Sequence, residues 1–165
     1  MAPATPDEGF RAPPAVVYDL LTKPELQSAD LSRLQYVGLG GAGPSDKLRE
    51  LYKARFGQDI GGFYGLTEAP ASVTELKPEE RSSPNAIGRA FSHLDIRILD
   101  KDDNEVARGT SGEICVRAVG DGEWAGVYTP MLGYWRQPDA TRQSLRNGWL
   151  HTGDIGHMDA HGMIL

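Results

Sequence analysis

Five consecutive residues, Tyr64-Gly65-Leu66-Thr67-Glu68, set out an aromatic face, a backbone without a side chain, a hydroxyl and a carboxylate. Each group has a use at a nucleotide. The Tyr64 ring can lie against a purine, Gly65 lets the main chain approach, the Thr67 hydroxyl can donate to a phosphate oxygen, and Glu68 is a hard oxygen ligand suited to Mg²⁺. A strand-end turn carrying a solvated glutamate accounts for the same five residues equally well. Downstream, Gly148-Trp149-Leu150-His151-Thr152-Gly153-Asp154-Ile155-Gly156 places a carboxylate directly after a glycine. There Asp154 can accept from both hydroxyls of a ribose, although an isolated Thr-Gly-Asp is ordinarily a turn.

A third candidate is Gly38-Leu39-Gly40-Gly41-Ala42-Gly43, which satisfies G-x-G-x-x-G. Between a strand and a helix, such a loop can hold a pyrophosphate on backbone N–H groups, as in Rossmann-type dinucleotide folds. That reading needs an acidic residue at the tip of the second strand to hold a ribose. The cluster from Tyr64 to Glu68 stands there, and its chemistry suits a triphosphate and a cation better. A purely structural glycine turn stays open.

The elements that must position these groups follow from the apolar pattern. Residues 1–13, rich in Pro and Ala, read as a loose leader; Val17, Leu20 and Leu21 predict a short helix stopped by Pro24. Leu31, Leu34 and the run Gln35 to Leu39 predict a buried strand leading into the glycine loop. Ser45 caps a helix with apolar contacts at Leu48, Leu51, Tyr52 and Phe56, and Gly57 stops it. Asp59 to Phe63 predicts a second strand ending at the Tyr64 cluster, and 77–85 a surface loop. From Ile87 the period changes to short alternating segments, with Leu94, Ile96 and Ile98, then Ile114 and Val116, split by the charged turn Lys101 to Asn104. A short helix is expected at Pro138, and Asn147-Gly148 turns the chain into Trp149. The expected architecture is mixed α/β: a strand, glycine loop, helix and strand portion over 14–86, then a small β-barrel-like meander over 87–165. Met163-Ile164-Leu165 reads as a returning strand with unpaired backbone, as if the chain were cut short.

At 165 residues, one ordinary domain's worth of core is available. A net charge of −6 gives no cationic surface on average, which argues against a nucleic-acid partner. The single cysteine, Cys115, excludes an intramolecular disulfide and reads as a strand residue rather than a reactive thiol; a reducing cytoplasm fits. No stretch is long and apolar enough to span a membrane, and no signal peptide is evident. His157 and His161 have a spacing that invites a metal, but they flank a turn and lack a third ligand. The acidic group Asp100, Asp102 and Asp103 lacks the pattern of a calcium loop.

In order, Gly40-Gly41-Ala42-Gly43-Pro44-Ser45, Tyr64 to Glu68, Gly88-Arg89, Gly112-Glu113-Ile114, Gly133-Tyr134-Trp135 and Trp149 to Asp154 resemble the adenylate-forming superfamily, and within it the acyl-CoA synthetases. The likeness runs from about Pro13 to Leu165. Arg117-Ala118, where the family turns at arginine-glycine, and an apparent insertion over 119–129 depart from it. The resemblance implies that Gly41, Ala42 and Gly43 pass their backbone along the adenine and the acyl group, Tyr64 packs on the adenine with Gly65 beside it, and Asp154 binds the ribose. Thr67 and Glu68 would be the catalytic pair, Thr67 at the α-phosphate and Glu68 holding Mg²⁺.

The implied enzyme is an acid-thiol ligase that joins a carboxylic acid, expected to be a fatty acid, to ATP as an acyl-adenylate and then passes the acyl group to coenzyme A. The family's Pro-Lys pyrophosphate loop and its small C-terminal domain with a catalytic lysine are not in this sequence. A fragment, with a second polypeptide supplying the remainder, or a non-catalytic adenine-nucleotide module or remnant, is therefore expected.

Overall fold

The computed structural model describes residues 8–31, 34–80, 83 and 85–165. Residues 1–7 of the expected leader, and 81, 82 and 84 of the expected 77–85 loop, lie outside the described residues. The first sheet has the order β1-β2-β3-β4-β5, with β1 Glu8–Ala12, β2 Leu34–Gly40, β3 Gly61–Leu66, β4 Ala69–Leu76 and β5 Arg89–Ala90. The β1/β2 and β2/β3 pairs are parallel, and β3/β4 and β4/β5 are antiparallel. Part of the expected leader is thus a strand. Its main chain pairs with β2, where Phe10 sits opposite Val37, and Phe10 and Ala12 pack on the apolar cluster behind the sheet. Main-chain pairing and one aromatic anchor outweigh the polar, Pro-rich composition of that stretch.

Behind this sheet lie α1 Pro14–Thr22, α2 Pro24–Gln27 and α3 Asp46–Phe56. Pro24 ends the first helix as expected but also opens the second, since proline at the first helical position costs no intrahelical hydrogen bond. The α3 termini follow the sequence closely. The Ser45 hydroxyl accepts from the Leu48 N–H at 3.2 Å, and Gly57 at φ 73° donates its N–H to the Lys53 carbonyl. Buried Leu48 and Tyr52 join Val17, Val37, Leu39 and Ile60 in one cluster, which fixes α1 and α3 on the sheet and holds the Gly41–Gly43 loop between β2 and α3.

The second sheet has the order β6-β7-β9-β8, with β6 Leu94–Leu99, β7 Gly112–Ala118, β8 Leu145–Arg146 and β9 Trp149–Gly156, all antiparallel; α4 Pro138–Ser144 precedes β8. It is an open meander-like sheet and does not close into a barrel. Leu94, Ile96, Ile98, Ile114 and Val116 bury one face, as their alternation predicts. Cys115 points to the other, with Leu99 and Trp149. Asn147 and Gly148 both adopt positive φ, as a two-residue hairpin between β8 and β9 requires.

Ala69 and Val73 of β4 lie in the same cluster as the apolar face of the second sheet, so the two sheets share a core. Met163 to Leu165 is paired, contrary to the expected bare backbone. Ile164 exchanges main-chain hydrogen bonds with Ile87 and Gly88, Leu165 with His157, and Ile164 is fully buried. This seam explains Gly88-Arg89. Gly88 has φ 109°, and a Cβ there would lie 2.1 Å from the Glu75 carbonyl oxygen, while Arg89 donates to the His161 carbonyl. Gly88→Ala is expected to cost more than about 2 kcal/mol by urea unfolding. Gly109→Ala, at φ 83° with open space around it, is expected to cost about 1 kcal/mol. Equal losses would show that the close approach at Gly88 is not the constraint.

Candidate functional site

Tyr64 and Asp154 are ninety residues apart in sequence, and the fold brings them together. Tyr64 lies on β3, next to the pairing of Gly62 and Phe63 with β4; Asp154 lies on the exposed end of β9. The Tyr64 hydroxyl donates to Asp154 Oδ2 at 2.6 Å. Burial first, and the neighbouring Asp154 carboxylate second, push the Tyr64 phenol well above its ordinary range. The Asp154 turn is braced from two sides. Its own N–H donates to Thr152 Oγ1 at 3.1 Å, Thr152 Oγ1 donates to the Ile114 carbonyl at 2.8 Å, and the Gly153 N–H donates to Glu113 Oε1 at 2.9 Å. An acceptor held this way loses little further entropy when a donor reaches it.

One cavity of about 530 Å³ opens at this contact, within the roughly 300–1,000 Å³ usual for small-molecule sites. Gly41, Ala42, Gly43, Tyr64, Gly65 and Asp154 all line it. Six of the eight residues singled out in the sequence therefore converge on one space, with Ala86 and Ile87 supplying an apolar wall. Gly65 is required there because a Cβ would lie 2.8 Å from the Ala71 carbonyl oxygen.

Thr67 and Glu68 do not line that cavity. They form the turn between β3 and β4, one turn beyond Tyr64. Glu68 is fixed there by Tyr134, whose hydroxyl donates to Glu68 Oε1 at 2.8 Å, and the Glu68 carbonyl accepts from the Met131 N–H at 2.8 Å. Tyr134 is itself held by Thr141 Oγ1, which accepts its N–H at 2.9 Å. With one carboxylate oxygen anchored, Glu68 can offer the other to a cation. A single carboxylate completed by phosphate oxygens and water is a usual Mg²⁺ arrangement, so the residues fit that ion.

The supporting roles of Tyr134, Glu113 and Thr152 are not evident in the sequence. Each belongs to a recognised motif, but the contacts span 66, 40 and 38 residues and depend on the pairing of sheets. A larger cavity, about 700 Å³, lies on the helix side among Phe10, Val17, Leu21, Leu34 and Phe56. It contains none of the motif residues. Size alone would point to that cavity; the converging polar groups single out the smaller one as the candidate site.

Residues 9–135 match the AMP-binding enzyme family. The long-chain-fatty-acid–CoA ligase of Escherichia coli O157:H7 is 37% identical over 145 residues, which are 88% of this chain and 24% of that protein. The indoleacetate–CoA ligase of Aromatoleum aromaticum is 33% identical over 153 residues, 92% of this chain and 28% of that protein. The amide bond synthetase McbA of Marinactinospora thermotolerans superposes with a TM-score of 0.77 at 32% identity, covering 95% of this chain and 30% of that one. The chain spans about a quarter of the length of the curated relatives it matches. In those relatives the matched segment is part of one longer polypeptide, which lends no support to a separate second polypeptide.

The raised Tyr64 phenol sets an expectation. A folded-state pKa above the unfolded value contributes stability that is complete below about pH 10 and is lost as pH rises above it. Up to about pH 11, with the fold verified by circular dichroism, the parent and Tyr64→Phe should show the same rise in tyrosinate absorbance, because Tyr64 does not ionise there. A rise smaller by one tyrosine in the variant would show that the Tyr64–Asp154 contact does not hold its proton.

Proposed function

We infer, because this chain belongs to the AMP-binding enzyme family, that it forms the nucleotide-facing portion of an ATP-dependent ligase joining a carboxylic acid to coenzyme A. The observation that carries this reading is the convergence of the Gly41–Gly43 loop, Tyr64 and Asp154 on one cavity. In it, the backbone from Gly41 to Gly43 runs along the adenine and the acyl group, the Tyr64 ring packs on the adenine with Gly65 clearing the way, and Asp154 accepts from the ribose hydroxyls.

Thr67 and Glu68, in the turn that follows β3, are assigned to the phosphates. The Thr67 hydroxyl donates to the α-phosphate. Glu68, fixed by Tyr134, would hold Mg²⁺, which when bound would neutralise phosphate charge. A carboxylate is a poor electrophile, so the acid first attacks the α-phosphorus with loss of pyrophosphate; the coenzyme A thiol then attacks the acyl carbon of the mixed anhydride, forming the thioester and releasing AMP and the thiol proton. Positioning and charge neutralisation are what these residues contribute to both steps.

We take the acid to be a fatty acid, on the likeness to the bacterial long-chain ligases; the likeness to an indoleacetate ligase makes an aryl acid the alternative. In this reading residues 14–86 form the α/β portion and 87–165 the β-rich portion of one AMP-binding domain, working in the cytoplasm.

Calorimetric titration of the folded chain with AMP, Mg-ATP and free adenine tests the assignment. Asp154→Asn is expected to weaken AMP and Mg-ATP by about tenfold or more and to leave adenine unchanged, whereas Tyr64→Ala is expected to weaken all three. A folded chain that binds no nucleotide, or an Asp154→Asn variant that loses adenine and AMP equally, would remove the proposed roles.

A further inference from the structure

Beneath the Asp154 turn, on the face of the second sheet away from its main core, three side chains of different chemistry meet. Glu113 and Cys115 lie two residues apart on β7, and β9 places His151 directly opposite Cys115. Cys115 Sγ is 3.3 Å from His151 Nδ1, and Glu113 Oε2 is 2.8 Å from the same nitrogen. The three donor atoms all lie within 4.8 Å of one another. Cys115 and His151 are buried, while Glu113 is partly exposed and gives the cluster a side open to solvent. None of the three side chains has a part in the proposed nucleotide chemistry beyond the Glu113 brace on Gly153.

We propose that Glu113, Cys115 and His151 form a site for one thiophilic divalent cation of the Zn²⁺ type, clipping β7 to β9. The donor set of one sulfur, one imidazole nitrogen and one carboxylate oxygen selects zinc-like ions over Mg²⁺ or Ca²⁺, which take oxygen alone. Tetrahedral zinc with its usual bond lengths sets neighbouring sulfur, nitrogen and oxygen ligands about 3.3–3.6 Å apart. The two contacts at His151 Nδ1, 3.3 and 2.8 Å, must open by a few tenths of an ångström to reach this, the Cys115 and Glu113 donors, within 4.8 Å of each other, must settle to the same spacing, and a water can take the fourth position on the Glu113 side.

The surroundings supply what such a site needs. His151 Nε2 is buried and, among the described residues, has no hydrogen-bond partner, yet Asp103 Oδ1 lies 3.7 Å from it. With the cation on Nδ1, the imidazole proton moves to Nε2 and faces that carboxylate, the arrangement that orients and strengthens metal-bound histidines. Asp103 is itself held by Arg146 and Asn147. The metal–sulfur bond forms as the thiol proton leaves to solvent, with no change of oxidation state. The competing arrangement is a charged His151 between Glu113 and Asp103, with Arg146 3.6 Å from Glu113, binding no ion.

Titration of the full chain with Co²⁺, whose bond to thiolate absorbs in the near ultraviolet, separates the two. One equivalent is expected to give that band together with tetrahedral visible bands; Zn²⁺ is expected to bleach them and raise the melting temperature. Cys115→Ser should abolish the band. Glu113→Gln, which keeps the side-chain shape, should weaken Co²⁺ binding about tenfold or more, and His161→Gln, on the surface, should change nothing. Absence of the band at a large excess of Co²⁺, in a chain that circular dichroism shows to be folded, would overturn the site. So would a band of undiminished affinity in both Glu113→Gln and His151→Asn, which would reduce it to a lone thiol.

Discussion

Ala69 and Val73 of β4 are fully buried against Ile96, Ile114, Val116 and Leu150 of the second sheet. This packed face sets the separation and angle of the two sheets, and the meeting of Tyr64 and the Gly41–Gly43 loop with Asp154 across one cavity depends on it. The first sheet is parallel up to β3, and the antiparallel return through β4 changes its character. A strand added after β3 in this way carries one face toward the second sheet while its backbone still pairs with β3. The Tyr64 hydroxyl, on β3, can then reach a carboxylate on β9. The same geometry leaves a gap between the glycine loop and β9, and that gap is the cavity. Apolar packing has no direction of its own, so register is supplied by the main-chain seam of Ile87, Gly88 and Ile164.

Much of the framework was legible in the sequence because it is local. The Ser45 cap, the apolar stripe of α3 and the Gly57 stop lie within thirteen residues, and each obeys a short-range rule. Leu94, Ile96 and Ile98 alternate cleanly because they face the core while Asp95 and Arg97 between them are partly exposed. The Tyr64 cluster and the Asp154 turn were recognisable because several motifs in register are far more specific than any one of them.

What was not legible is non-local or weakly patterned. The strand Ala69–Leu76 opens Ala-Pro-Ala-Ser, with low strand propensity and a positive φ at Ala71, so only its context makes it a strand. Glu8–Ala12 is held by a neighbour's backbone rather than by its own pattern. Met163 to Leu165 read as bare because one of the partners that cover it, Gly88, lies seventy-six residues upstream of Ile164, and the others, around His157 to Asp159, pair only through a short return that no alternating pattern announces. Tyr134 on Glu68 and Glu113 on Gly153 belong to the same class. So does the meeting of Cys115 with His151, since a one-residue slip of β7 against β9 would turn them to opposite faces.

The hydrogen bond from Tyr64 to Asp154 also bears on how selective such a cavity is. A carboxylate has two oxygens with several lone pairs between them, and the phenol engages only Oδ2, so one further donor can be accepted without displacing it. A partner that demands both oxygens at once must instead exchange with the phenol at Oδ2. The contact therefore grades arriving donors by how they approach the carboxylate, since a single donor adds a hydrogen bond and a paired one trades for it.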